Sequence, residues 1–257
     1  MWGEKSLDLL NFFDFSQLQL ILVIIAAFLI GFSKTGLSGM LMLVIPILAD
    51  AFGGMQSTGI ILPILIVGDL FAVGNYRRHI DWGNIRKLML WTLIGLGTGL
   101  VIGKYINDTQ FKITIAVMVL ICLLILIYSE RKGDQLQVPK KTWFYALTGI
   151  LAGFATMIGN AAGPIFTIYL LSMGFKKNEY MGTNAIFFFL VNITKVPLQV
   201  FVWQNITWKT VLLTGCVVPF VALGAWLGVK VLKKINEKIF RYIIITLTAV
   251  SALKLFF

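Results

Sequence analysis

Ten apolar runs follow one another along the chain, separated by short polar connections. In order they cover Gln17–Ser33, Leu37–Ala51, Ser57–Gly74, Ile85–Gly103, Phe111–Tyr128, Thr142–Met157, Ala161–Gly174, Thr183–Trp203, Thr210–Val229 and Ile239–Phe257. Most of them approach or reach the roughly 17–25 residues that a helix needs to cross a bilayer. Alternation of apolar and polar residues, the mark of a membrane barrel, is absent. The pattern therefore predicts an all-α, polytopic membrane protein.

Two of the runs, the second and the seventh, are short, and each follows directly on a glycine-rich break. Broken helices at matching points of two halves indicate the binding site of a transporter. The polar and glycine positions of the two breaks are the candidate substrate-binding residues: Lys34, Thr35, Gly36, Ser38, Gly39, Gly159, Asn160 and Gly163. Glycine lets a backbone approach a ligand closely, although small residues can also serve only helix packing.

The two breaks belong to an internal repeat. Gly31-Phe32 recurs as Gly153-Phe154, and Ile80-Asp81-Trp82 recurs as Ile206-Thr207-Trp208. We therefore predict a first repeat over residues 1–130, a cytoplasmic connection over 131–141 and a second repeat over 142–257, together forming one membrane domain. Because each half holds an odd number of segments, the second half must be inverted relative to the first.

The distribution of positive charge predicts the topology. The chain has 22 Lys and Arg residues against 11 Asp and Glu, a formal net charge of +11. Most of the basic residues lie in the connections after segments three, five, seven and nine. Since cytoplasmic loops are rich in Lys and Arg, these connections are predicted to lie inside the cell and both termini outside. Topology thus accounts for the charge, and no nucleic-acid partner is predicted.

Three charged residues lie well inside the apolar runs or at a break, away from the ends of the runs: Lys34, Asp69 and Lys195. A charge inside the membrane costs at least about 2.5–3.5 kcal/mol, so each of them needs a reason. Asp69 lies thirteen residues before Trp82 and Lys195 thirteen before Trp208, which makes their positions equivalent in the repeat. A structural ion pair between Asp69 and Lys195 is one interpretation. The other makes Asp69 a coupling or gating residue that carries a proton or releases Lys195 to a substrate.

The buried charges sum to +1, and a positively charged site with access to water prefers an anion. The N-termini of the two short helices would add free N–H groups and positive partial charge. Asn192 shares a helix face with Lys195 and joins the candidate site. Lys34 could instead snorkel to the interface, and Asn160 could be a plain helix cap. A small anion is the predicted ligand, and no metal, cofactor or catalytic residue is predicted.

Four stretches resemble the TauE/SafE-like sulfite exporter family, also called the anion permeases of the toluene-sulfonate uptake type. They are the break at 31–36, the stretch 62–82 with its Tyr76-Arg77-Arg78 ending, the second break, and Gly182-Thr183-Asn184-Ala185. The resemblance implies a transporter in the bacterial inner membrane that moves sulfite, sulfonates or related organosulfur anions, often outward. It also implies that the paired breaks form the substrate path.

The predicted function is therefore alternating-access transport of a small anion, namely sulfite, a sulfonate or another organosulfur anion, with proton-coupled export as one form of it. A passive anion channel and an importer of a small carboxylate or sulfur oxyanion stay open as alternatives. The predicted partners are the anion and the lipid bilayer, and a homodimer is left open. An enzyme is not predicted, because the chain has one histidine and its apolar runs hold no cluster of acids or cysteines.

Overall fold

The computed structural model describes residues 12–36, 39–77, 80–132, 142–172, 177–231 and 237–257, and in these ranges the fold is all-helical. The helices are α1 Gln17–Thr35, α2 Met40–Phe52, α3 Gly54–Tyr76, α4 Trp82–Tyr105, α5 Asp108–Lys132, α6 Thr142–Gly159, α7 Gly163–Ser172, α8 Lys177–Leu198, α9 Trp208–Val231 and α10 Glu237–Lys254. Seven of these described helices are long and apolar enough to cross a membrane. The predicted all-α membrane fold is thereby confirmed.

The two short helices follow the two predicted breaks. At 1.5 Å per residue, the 13 residues of α2 and the 10 residues of α7 span only about 20 and 15 Å, short of a hydrocarbon core about 30 Å thick. Gly39, which precedes α2, has φ +118°, a conformation that favours glycine. Asn160, which follows α6, has φ 55°, and Asn is among the few other residues that tolerate this region. The chain therefore breaks where these two residues allow it.

Two long helix pairs form the most extensive contacts among the described helices, α4 with α6 and α1 with α9, and α3 packs on α8. If each helix of the first half is exchanged with the equivalent helix of the second half, α4 with α6 becomes α9 with α1, and α3 with α8 stays the same. An internal repeat gives this symmetry of helix contacts. The inverted repeat itself, and the boundaries drawn for it, stay predictions.

Glycines allow both long pairs to pack closely. A Cβ at Gly31 would overlap the backbone carbonyl of Val221 in α9, and a Cβ at Gly153 would overlap that of Thr92 in α4. Small residues at such contacts let helix backbones approach in a membrane. Gly31 and Gly153, which mark the repeat in the sequence, therefore serve helix packing.

The substitution Gly95→Ala tests this packing. The added Cβ would overlap the carbonyl oxygen of Ile150 in α6, and a backbone atom cannot move aside without shifting its helix. We expect a loss of about 1–3 kcal/mol in unfolding free energy, measured as a lower thermal midpoint in detergent. Gly97→Ala is the matched control, because Gly97 lies two residues away on α4 with nothing within 4 Å of a Cβ. Equal midpoints for the two variants would contradict the packing role.

One end of the bundle gathers segments that the predicted topology assigns to a single side. Lys209 at the start of α9 lies 2.7 Å from Asp14, which precedes α1. Lys254 at the end of α10 lies 2.6 Å from Asp50 near the end of α2. Exposed ion pairs add little stability, but these two fix which helix ends are neighbours. Gln19 near the start of α1 donates to the Ala51 carbonyl at the end of α2 at 2.8 Å, so the start of α1 and the end of α10 lie at the same end of the bundle, which we call the outer end.

Candidate functional site

A cavity of about 60 Å³ lies where the two breaks meet. Lys34 and Gly39 of the first break and Asn160 and Gly163 of the second all line it, and so does Asn192 of α8. The volume would hold about four to six waters, which suits a small ligand. Sequence positions that are more than 120 residues apart are thus brought to one place, as predicted for the paired breaks.

Lys34 forms an ion pair with Asp69 at the wall of this cavity. The Lys34 Nζ lies 2.6 Å from Asp69 Oδ1, with 10% of the Lys34 side chain and none of the Asp69 side chain exposed. The other carboxylate oxygen of Asp69 accepts a hydrogen bond from Asn192 Nδ2 at 2.7 Å. The Lys34 ammonium also lies 5.0 Å from the centroid of the Phe188 ring. Lys34 is therefore held towards the cavity.

The ion pair predicted between Asp69 and Lys195 is not formed. Asn192 lies between them, because its Nδ2 donates to Asp69 and its Oδ1 accepts from Lys195 Nζ at 3.4 Å. The carboxylate pairs instead with Lys34, since Gly68 leaves room for the Lys34 stem: a Cβ at Gly68 would lie 3.1 Å from Lys34 Cγ. The repeat relates the positions of Asp69 and Lys195 correctly but does not give their partners.

Lys195 is fully buried, and its hydrogen-bond partners among the described residues are neutral. Its ammonium donates to Asn160 Oδ1 at 2.5 Å, to Thr156 Oγ1 at 3.3 Å and to Asn192 Oδ1 at 3.4 Å. A buried cation without a carboxylate partner is costly, and a nearby anion would offset that cost. Lys34, Asp69 and Lys195 together leave a net charge of +1 beside the cavity.

Asn160 presents a free hydrogen-bond donor to the cavity. The residue is 3% exposed, and its Nδ2 has no partner among the described residues. Its Oδ1 accepts from the Lys195 ammonium, which can only donate, so the amide orientation is fixed. A buried donor without an acceptor costs about 1–3 kcal/mol. A ligand that carries acceptor oxygens would satisfy it.

The helix N-termini add to the positive potential of the cavity. Gly39 and Leu41 at the start of α2, and Gly163 and Pro164 at the start of α7, lie in its lining. The first turn of α2 has no side-chain cap, so its N–H groups are not satisfied by a neighbouring side chain. Helix N-termini carry positive partial charge and favour anions.

Three predicted site residues lie away from the cavity. Thr35 donates its hydroxyl to the Ala225 carbonyl at 2.7 Å, and Gly36 packs on Gly228, so both belong to the contact between α1 and α9. A Cβ at Gly159 would face the Met118 side chain of α5. Substrate contact by these three residues therefore has no geometric support. Ser38 lies outside the described residues.

The cavity also contains residues that the candidate set did not include. Thr156, Thr167 and Phe188 line it, and Asn184 adds an amide from the first half of α8. Helical spacing was the signal for two of them. Phe188 lies four residues before Asn192, and Thr156 four residues before Asn160, so each shares a face with a predicted site residue.

Comparison with known proteins agrees with this architecture. The family model described as sulfite exporter TauE/SafE matches residues 23–255, a span that contains both breaks and every residue of the cavity. No curated protein and no solved structure matches the chain. A match over nearly the whole length is sufficient to assign membership, and the chain belongs to the TauE/SafE sulfite exporter family.

Proposed function

We propose that this multi-pass membrane protein exports a small sulfur-containing anion, either sulfite or a short sulfonate, across the bacterial inner membrane. The free Nδ2 donor of Asn160, beside the cationic Lys195 in a small cavity, is the observation that carries the proposal. The family supports a membrane exporter of sulfite or a related anion. The substrate, the mechanism and the direction relative to the membrane are our inference.

The cavity suits an anion with several oxygens on a small apolar body. Lys34 and Asn160 offer donors from the two different breaks, and the local charge is +1. Leu65, Leu126 and Phe188 form an apolar part of the wall, against which sulfur or a short carbon chain can pack. Charged donors supply affinity, and the small volume excludes larger anions.

Two separate cavities favour alternating access over an open channel. We call the cavity of about 60 Å³ at the two breaks the inner cavity. Tyr180, near the start of α8, lines it, so the inner cavity extends away from the outer end of the bundle. A second cavity, of about 240 Å³, lies at the outer end, with Asn205 and Thr210 among its lining residues. We propose that movement of the broken helices transfers the anion from the first cavity to the second. In the topology predicted from the basic connections, the first cavity faces the cytoplasm.

Asp69 is the proposed coupling residue. It shares Lys34 with the incoming anion, because Lys34 lies at the cavity wall and Asp69 directly behind it. An anion that draws the ammonium away would leave the Asp69 carboxylate without its cation. Uptake of a proton by Asp69 would then restore neutrality, which would link anion binding to proton movement.

Counterflow in proteoliposomes tests the proposed function. Vesicles loaded with unlabelled sulfite should take up labelled sulfite faster than empty ones, whereas a passive channel shows no such trans-stimulation. An imposed proton gradient should accelerate the flux of the wild-type protein but not that of Asp69→Asn. Thermal midpoints measured with sulfite, sulfate, thiosulfate, sulfoacetate and taurine should rise for the transported anions. No midpoint shift and no flux with any of these anions would refute the proposal.

A further inference from the structure

A polar stripe on α8 continues beyond the inner cavity towards the outer end. Asn184 and Asn192 line the cavity, Lys195 bonds to its wall, and Gln199 lies one helical turn further on. At 3.6 residues per turn these four residues fall on one face of the helix. Gln199 is therefore the next polar side chain that a ligand leaving Lys195 in the outward direction would meet.

Gln199 is fully buried, and its side-chain amide is unpaired. Neither Oε1 nor Nε2 has a hydrogen-bond partner among the described residues, and the residue is 0% exposed. Burial of an unpaired amide is costly, and an apolar residue of the same size would avoid the cost. A purely structural role does not explain an amide at this position. A ligand that binds transiently to the amide would explain it.

The backbone around Gln199 departs from the regular α-helix. Residues Gln199–Trp203 form a π-helical turn directly after Leu198, and Gln204 has φ 54°. Single π-helical turns are frequently found at functional sites. Gln199 therefore lies directly after α8, where the regular helix geometry ends.

Gln199 also joins the inner cavity to the outer one. Its backbone carbonyl accepts a hydrogen bond from the N–H of Asn205 at 3.2 Å. Asn205 lines the outer cavity together with Thr207, Lys209 and Thr210. Lys195 one turn before Gln199 and Asn205 after it thus form a series of polar residues between the two cavities.

We propose that Gln199 is a second binding residue for the transported anion, between Lys195 and the outer cavity. The proposal rests on the proposed function of the inner cavity. The Nε2 amide would donate to an anion oxygen as the anion leaves the Lys195 ammonium. A neutral donor holds an anion less tightly than a cation does, and conduction requires sites that bind weakly enough to release.

The test compares flux with binding in Gln199→Met, a substitution of similar volume. We expect the initial rate of labelled sulfite counterflow to fall about 10- to 100-fold, the effect of losing a hydrogen bond to a charged group. Sulfite binding to the purified protein, measured by thermal shift, should stay close to that of the wild type, because the inner cavity is unchanged. The matched control is Thr248→Val, since Thr248 of α10 also has a buried hydroxyl with no partner in the described part of the chain and lies off the stripe.

Flux at the wild-type rate in Gln199→Met would overturn the role of Gln199, and so would an equal loss in Thr248→Val. Should Gln199→Met fail to fold, Gln199→Glu keeps the shape and replaces the donor with a group that repels an anion. Wild-type flux in Gln199→Glu would overturn the proposal equally. Absence of sulfite binding and flux in the wild-type protein would instead refute the function proposed for the inner cavity.

Discussion

Lys34→Met is expected to abolish anion transport and to lower the free energy of unfolding by about 3–5 kcal/mol. The Lys34 ammonium lies 2.6 Å from the carboxylate of Asp69, which is wholly buried. Methionine fills similar volume but leaves this negative charge without its cation beside the cavity. The charge contributed by the three buried residues then changes from +1 to 0, and the cavity loses the positive charge that favours an anion. Labelled sulfite flux and the thermal midpoint measure the two losses.

The double variant Lys34→Met/Asp69→Asn separates the two losses. It removes both charges while the asparagine keeps an oxygen for Asn192, so we expect most of the lost stability to return. Transport should not return, because the cation that faces the anion is still missing. Lys34→Arg, which keeps the charge, serves as the control. Strictly additive losses of stability in the double variant would contradict the ion pair. Normal sulfite flux in Lys34→Met would contradict the role of Lys34 in the site.

The helices could be predicted closely from the sequence. Apolar runs of membrane length, separated by basic connections, are a strong signal because the bilayer admits few alternatives. The run Gln17–Ser33 became α1 at Gln17–Thr35, and the short second and seventh runs became α2 and α7. Their short length also indicated that the two breaks lie inside the membrane domain, where the cavity lies.

The partners of the buried charges could not be predicted. Repeat spacing predicts that Asp69 and Lys195 occupy equivalent positions along their helices. It does not predict which side chains of a third helix contact them. Lys34 reaches Asp69 because Gly68 lets α1 approach α3 closely. That contact depends on how the helices pack, and no local pattern in the sequence encodes it.

The roles of the glycines could not be separated by sequence either. Gly31 and Gly39 are eight residues apart in one glycine-rich stretch, yet they have different structural roles. Gly31 lets α1 pack on α9, whereas Gly39 adopts φ +118° and starts α2 at the cavity. The sequence shows only that neither position carries a side chain. Only the fold shows that one glycine lies at a helix contact and the other at a turn.

Asn160→Asp is expected to remove anion binding without unfolding the protein. Aspartate matches asparagine in shape and tolerates the φ of 55° at this position, so the break between α6 and α7 should persist. The new carboxylate would pair with Lys195, whose ammonium already lies within hydrogen-bonding distance of the side chain. The substitution therefore removes the free donor and cancels the net charge of +1 together.

We expect the affinity for sulfite to fall at least about 100-fold, because a charge-assisted hydrogen bond is lost and a repulsive charge is gained. The thermal midpoint without sulfite should be unchanged or higher, since Lys195 acquires a buried counterion. The midpoint of the wild type should rise with added sulfite, and that of the variant should not. Asn75→Asp, the same substitution at an exposed position of α3, should keep the sulfite-dependent rise. If sulfite raised the thermal midpoint of Asn160→Asp as much as that of the wild type, the Asn160 amide would not be the donor to the anion. The proposed function would then lose the observation that carries it.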